Sequence, residues 1–209
     1  MAAPSQIALP LTLQKAGTPA RIAIGAANQR AAEALADPSG WPFGTAMLTG
    51  SARSGKSLLG RWFDEQCNGA VIDNADRWNE TDLFHRWNRA QETGETLLLI
   101  ASDSDGAGWE ITLPDLRSRL GAALHLQIGQ PDDAMLADLI EIHAELRGLA
   151  LGEGALTYLL PRITRSFAEI ERVVATIDRL SLERKAAPTM GIWRDALDAV
   201  QGPEQARLL

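Results

Sequence analysis

Apolar residues fall along this chain in two rhythms. Up to about residue 130 they gather in four short unbroken runs, at 46–49, 69–73, 96–101 and 124–128, each bounded by glycine, polar or turn-forming residues. Runs of that length without polar alternation read as buried strands. The stretches between them space their apolar side chains three and four apart. Residues 28–36 are alanine-rich, 57–66 follow a glycine loop, and 81–91, with Thr81 as the expected N-cap, set Leu83, Trp87 and Ala90 on one helical face. Strands alternating with helices imply parallel βαβ units and a sheet covered on both faces.

Beyond Pro131 the strand rhythm stops. Leu136, Leu139, Ile140, His143 and Leu146 form a stripe at helical spacing, with Gly148 as a stop signal. A shorter helix over 155–163 meets Pro161. Ser166 and Glu169 read as a capping box that opens a helix carrying Ile170, Val173, Val174, Ile177 and Leu180, and a last helix over 191–200 is capped by Thr189. The expected organisation is an extended tail at 1–15, an α/β domain with a parallel sheet and flanking helices at 16–130, and a small all-helical domain at 131–209.

Composition narrows the class. With 45% hydrophobic and 22% charged residues over 209 positions, the chain suits a globular core and excludes disordered, collagen-like and coiled-coil classes. Its net charge of −7, from 20 basic against 27 acidic residues with no basic block, argues against non-specific duplex binding. A single cysteine, Cys67, forbids an internal disulfide and fits a reducing compartment. No apolar run is long enough to span a bilayer. The uncharged first 14 residues lack a basic leader, and Pro10 interrupts their apolar run, so no export signal and a cytoplasmic location are expected. Cys67, His85, His125 and His143 show no metal-ligand spacing, and the six scattered tryptophans are expected mostly in the core.

The chemistry concentrates between the first predicted strand and the helix after it. Gly50-Ser51-Ala52-Arg53-Ser54-Gly55-Lys56-Ser57 fits G-x-x-x-x-G-K-[ST] in the strand-to-helix context the motif requires. Such a loop turns backbone N–H groups onto phosphate oxygens at a helix N-terminus. Lys56 would reach the β- and γ-phosphates and Ser57 would hold Mg²⁺. Arg53 stands where many such loops carry another glycine. Val71-Ile72-Asp73-Asn74 ends the next strand and looks like a Walker B element, with Asp73 toward Mg²⁺; the other reading is an Asp closing a strand-to-loop turn. Asn74 holds the position where an acid often polarises the attacking water, which implies slow self-hydrolysis. Ser102, after the strand at 97–100, would face the γ-phosphate. Arg119, in Leu113-Pro114-Asp115-Leu116-Arg117-Ser118-Arg119-Leu120, reads by itself as a surface arginine on a short helix. Gln6-Ile7-Ala8-Leu9-Pro10-Leu11 reads either as a disordered tail or as an extended segment suited to a groove on another protein.

Together these elements resemble the AAA+ family over roughly residues 5–200 and, within it, the DnaA-related group of bacterial replication proteins, the Hda-type regulators above all. The resemblance implies ADP or ATP with Mg²⁺ as cofactors. It places an arginine finger on Arg119. It makes Gln6, Ile7, Leu9, Pro10 and Leu11 a docking segment for the sliding clamp, the beta subunit of DNA polymerase III. The implied function is negative regulation of replication initiation: a nucleotide-bound protein docks on the clamp and stimulates hydrolysis of DnaA-bound ATP in trans, with weak or no ATPase of its own. An autonomous helicase-loader-type ATPase is the alternative. DnaA and the clamp are the implied partners, with no direct sequence-specific DNA contact, and the apolar tail could instead pair two copies as a homodimer.

Two features depart from the family. Only 16 residues, 57–72, separate Lys56 from Asp73, where the family inserts another strand and helix. In its 5-1-4-3-2 sheet the missing strand is an edge, so the centre of the sheet should survive. The sensor-2 arginine is replaced by Ala168, with Arg172 one turn away.

Overall fold

The computed structural model describes residues 6–8, 21–102 and 109–202. In chain order its elements are β1 (Gln6–Ala8), β2 (Arg21–Ala23), α1 (Gln29–Ala36), β3 (Thr45–Gly50), α2 (Lys56–Cys67), β4 (Ala70–Ile72), α3 (Glu80–Thr93), β5 (Leu97–Ile100), α4 (Pro114–Gly121) and β6 (Leu124–Ile128). Four helices follow: α5 (Asp133–Glu145), α6 (Ala155–Leu159), α7 (Phe167–Arg184) and α8 (Met190–Gln201). They group into two compact units, one spanning Ala26–Gly129, the other joining the β1–β2 segment to the chain from Gln130 onward. Among the described residues no helix is long and apolar enough to cross a membrane.

The first unit is built on one parallel sheet in the order β4-β5-β3-β6. This is what remains when the outermost strand is removed from a 5-1-4-3-2 sheet. The two-residue link Asn68-Gly69 carries the chain from α2 straight into β4, with Asn68 left-handed at φ 50° as the helix C-cap. The sheet is covered on both sides, as its unbroken apolar strands require. Met47, Leu97 and Leu99 pack with Leu83 and Ala90 of α3 and with Leu116 and Leu120 of α4. Their strand neighbours Leu48, Leu98 and Ile100 point the other way and are also buried, as are Leu59 and Phe63 of α2. On that side Gly60 lets α2 approach the sheet: a Cβ there would lie 2.6 Å from Ile100 Cδ1 and 3.2 Å from Val71 Cγ1.

The second unit has its own core, in which Leu136 and Ile140 of α5 meet Ile170, Val173, Val174 and Ile177 of α7 and Ile192, Trp193, Ala196 and Leu197 of α8. β1 pairs antiparallel with β2, setting Ile7 opposite Ile22. β2 is tied to α5: Arg21 Nη2 lies 3.0 Å from Glu145 Oε1 and 3.8 Å from Glu141 Oε2. The hydrophobic pattern assigns residues 16–25 to the α/β part, but the structure groups β2 with the helices, because its contacts run to α5.

Local chemistry differs from the sequence expectation at three helix starts. α3 begins one residue before Thr81, and its cap is Asn79, whose Oδ1 accepts from Thr81 N (2.9 Å) and Asp82 N (3.3 Å). The capping box at α7 does not form. The Ser166 side chain makes no cap bond, and Glu169 reaches past it to accept from Thr164 N (3.1 Å) and Gln201 Nε2 (2.6 Å). Thr189 precedes α8 without a side-chain cap bond. Gly148 is left-handed at φ 61°, as a helix stop requires. Of the six tryptophans only Trp41 and Trp193 are buried; Trp78 is 47% exposed and the others are half-buried.

Candidate functional site

The four parallel strands all deliver their carboxyl ends to one edge of the sheet. Leu48 sits opposite Ile100, and Ile72 opposite Leu99. That register brings Gly50, Asp73 and Ser102, which end or follow β3, β4 and β5, to a common rim, where open α/β sheets bind ligands. Three sequence motifs far apart in the chain thus lie along one edge of the sheet.

The loop from Gly50 to Gly55 is shaped by backbone conformations that suit glycine: Gly50 at φ 155°, Arg53 at φ 65° and Gly55 at φ 87°. Gly50 also lacks room for a side chain, since a Cβ would stand 3.0 Å from Ile128 Cβ and 3.1 Å from Ile128 O. Arg53 holds a left-handed conformation, which explains why a glycine is common there in such loops. The turn feeds α2 directly, with Gly55 as its N-cap, so the loop closes on a helix N-terminus, the end of a helix that attracts anions. Lys56 is buried at 8% exposure and folds back over the loop. Its ammonium donates to Gly50 O (2.8 Å), Ser51 O (2.7 Å) and Ser54 Oγ (3.4 Å). Ser51, Ala52, Arg53 and Ser57 face solvent, while Ser54 is buried.

Asp73 and Asn74 are both exposed. Asp73 Oδ1 accepts from Asn74 N (2.9 Å), so one carboxylate oxygen organises the turn and the other remains for a cation. Asn74 is left-handed at φ 54°, a conformation Asn tolerates better than an acidic residue with a longer stem. Ser102 is half-buried. A hydroxyl and a carboxylate are hard oxygen donors of the kind Mg²⁺ takes together with phosphate oxygens, so Ser57 and Asp73 fit that ion chemically. Among the described residues no group of three or more His, Cys, Asp or Glu side chains could hold a metal.

Arg119 lies on α4 and is held against α3. Its guanidinium carbon is 4.3 Å from the Phe84 ring centre and 4.5 Å from that of Trp87, and its Nη1 donates to Asn88 Oδ1. Stacking covers the faces of the guanidinium and leaves in-plane donors for a ligand. Glu80, at the start of α3, fastens the segment before α4. Its carboxylate accepts from Thr112 N (2.8 Å), Thr112 Oγ1 (2.7 Å) and Leu113 N (2.6 Å). Those bonds hold its carboxyl below the usual glutamate range. Arg117 Nε donates to Ile111 O (2.7 Å). Glu80, Phe84 and Asn88 are absent from the sequence reading of the site. Their signal is the spacing of 80, 84, 87 and 88 along one helix face; which arginine that face meets depends on how α3 and α4 pack.

In the tail, the backbone of Gln6 and Ile7 is paired with β2 of the same chain. Leu9, Pro10 and Leu11 lie outside the described residues, as does Asp103. In the helical unit, Ala168 is half-buried and Arg172 exposed on the first turns of α7.

No protein-family profile matches this chain. An uncharacterised protein of Haemophilus influenzae is 31% identical over 129 residues, which cover 62% of this chain and 55% of that protein. The chain thus matches only about half the length of that relative. Domain III of the replication initiation protein DnaA from Thermotoga maritima superposes with a TM-score of 0.69 at 14% identity, over 86% of this chain and 95% of that one. The FIGL-1 AAA domain in complex with ADP gives a TM-score of 0.56 at 14% identity, over 76% of this chain and 72% of that one. At such identities the likeness is one of fold: this chain has a DnaA-like AAA+ fold, a parallel α/β sheet with flanking helices followed by a helical C-terminal region.

Proposed function

We propose that this chain is a nucleotide-holding regulator of replication initiation of the Hda type, acting on DnaA rather than turning over ATP itself. The observation that carries the reading is the pairing of a complete phosphate loop with Asn74 in place of the acid beside Asp73. The loop from Gly50 to Ser57 would cradle the phosphates of ADP or ATP, with Lys56 moving from the loop carbonyls to the phosphates, and Ser57 and Asp73 would hold Mg²⁺. Asn74 accepts no proton, so intrinsic hydrolysis is poor.

Arg119 is the cation offered to the partner. Phe84, Trp87 and Asn88 hold it in place, so its in-plane N–H groups stay oriented. An arginine supplied in trans is worth about 10³–10⁵ in rate in GTPases. The N-terminal segment Gln6–Leu11 would dock on the sliding clamp in an extended conformation set by Pro10. Support for a replication partner comes from the DnaA-like fold and from the clamp-like spacing of the tail.

The test measures hydrolysis of radiolabelled ATP on DnaA with and without this protein and clamp-loaded DNA. Wild type should stimulate it. Arg119→Ala should abolish stimulation while keeping fold, nucleotide binding and clamp binding, and Arg119→Lys should restore little, since an ammonium lacks the planar fork. Turnover by the purified chain alone, without DnaA or clamp, would favour the autonomous ATPase instead.

A further inference from the structure

Two aromatic residues two positions apart meet opposite fates in the turn before β3. Trp41 goes inward: it is 6% exposed, stacks on Phe63 at 5.0 Å, and donates its indole N–H to Ala34 O at 2.9 Å. Phe43 goes outward and is 59% exposed. Its backbone is left-handed, at φ 54° and ψ 28°, a region that a bulky side chain occupies only under strain.

Side chains lock that conformation. The Phe43 carbonyl accepts from Gln91 Nε2 of α3 (2.8 Å) and from Thr45 Oγ1 (3.0 Å), and Gly44 N donates to Trp41 O (3.0 Å). A strained backbone held by several bonds thus leaves more than half of a large apolar residue in water. Strain of this kind concentrates where a surface works.

The ring is also not isolated. It lies 6.4 Å from Trp87, tilted by 53°. The Trp87 ring is the same one that stacks on the Arg119 guanidinium at 4.5 Å. The Trp87 indole N–H is buried without a hydrogen-bond partner. Phe43, Trp87 and Arg119 therefore form one continuous strip of aromatic surface ending in a cation. Any protein whose bound nucleotide is reached by Arg119 must cover the rings that flank that guanidinium.

We propose that Phe43, backed by Trp87, is the hydrophobic anchor by which this chain docks on the ATP-carrying AAA+ partner that Arg119 serves. The inference rests on the functional reading above and adds to it the surface that provides affinity, separate from the cation that provides rate. Aromatic residues, phenylalanine among them, and arginine are enriched at protein interfaces.

Phe43→Asn tests it, because asparagine tolerates the left-handed turn while removing the ring. The expected result is an unchanged or raised melting temperature and an unchanged nucleotide affinity. The protein concentration giving half-maximal stimulation of DnaA–ATP hydrolysis should rise by roughly tenfold or more, with the plateau rate kept. Arg119→Ala should do the reverse, losing the plateau. As a second readout, benzoylphenylalanine placed at position 43 should photocrosslink to ATP-bound DnaA and not to the clamp. An unchanged half-maximal concentration, or a crosslink to the clamp alone, would overturn the inference while leaving the function standing. A melting temperature that falls in step with stimulation would make the ring a packing group and overturn it too. Failure of wild type to stimulate at all would remove the functional reading and this inference with it.

Discussion

Lys56→Ala is the perturbation whose consequences the structure fixes most closely. The ammonium makes two short charge-assisted bonds, to Gly50 O at 2.8 Å and Ser51 O at 2.7 Å, from a residue only 8% exposed. Bonds to a charged group contribute about 1.5–3 kcal/mol each, but truncation here also removes a buried charge and lets water reach two carbonyls. The nucleotide-free variant should therefore lose about 1–2 kcal/mol, a fall of about 2–8 °C in melting temperature for a chain of this size. The larger effect is on ligand. Nucleotide at 100 times its Kd should stabilise wild type by about 2.7 kcal/mol, a rise of roughly 5–11 °C. In Lys56→Ala that rise should vanish, because the alanine cannot follow the phosphates. Differential scanning calorimetry with and without millimolar ADP or ATP and Mg²⁺ reads both numbers. A ligand-induced shift of wild-type size in the variant would refute the idea that the ammonium leaves the loop carbonyls for phosphate. No shift in wild type would refute the phosphate-loop reading itself.

Other consequences follow from particular contacts. Gly69→Ala should destabilise by about 1–3 kcal/mol in urea denaturation, because its Cβ would meet the buried Phe63 ring at 2.4 Å, and an unchanged midpoint would show that α2 can shift freely. The carboxyl of Glu80 is held below its ordinary value of 4.5, so its contribution is present above that pH and is lost as pH falls through its lower folded value. Glu80→Gln should accordingly be less stable than wild type near neutrality and converge with it as the pH falls below the lowered folded value, and a gap independent of pH would assign the effect to packing. Deleting residues 1–12 should remove clamp binding measured by surface plasmon resonance while sparing nucleotide affinity. Undiminished clamp binding would move that site elsewhere.

The sequence by itself determined what depends on neighbours within a few positions. Unbroken apolar runs gave the four parallel strands, and three-and-four spacing gave the helices, because side-chain direction repeats with backbone geometry. The glycine-bearing turn between β3 and α2 was legible because its glycines act through the local backbone, and the short link into β4 was legible from counting residues. Local signals failed where two residues competed for one role. Asn79 rather than Thr81 caps α3, and Glu169 bonds Thr164 rather than closing a box on Ser166. Only the tertiary structure decided which distant groups meet. Strand register brought Gly50, Asp73 and Ser102 to one rim, the packing of α4 on α3 set Arg119 against Phe84 and Trp87, and the Gln91 bond across 48 positions held Phe43 in water. Those contacts are long-range in the chain, and their energies depend on shape and burial that no window of sequence contains.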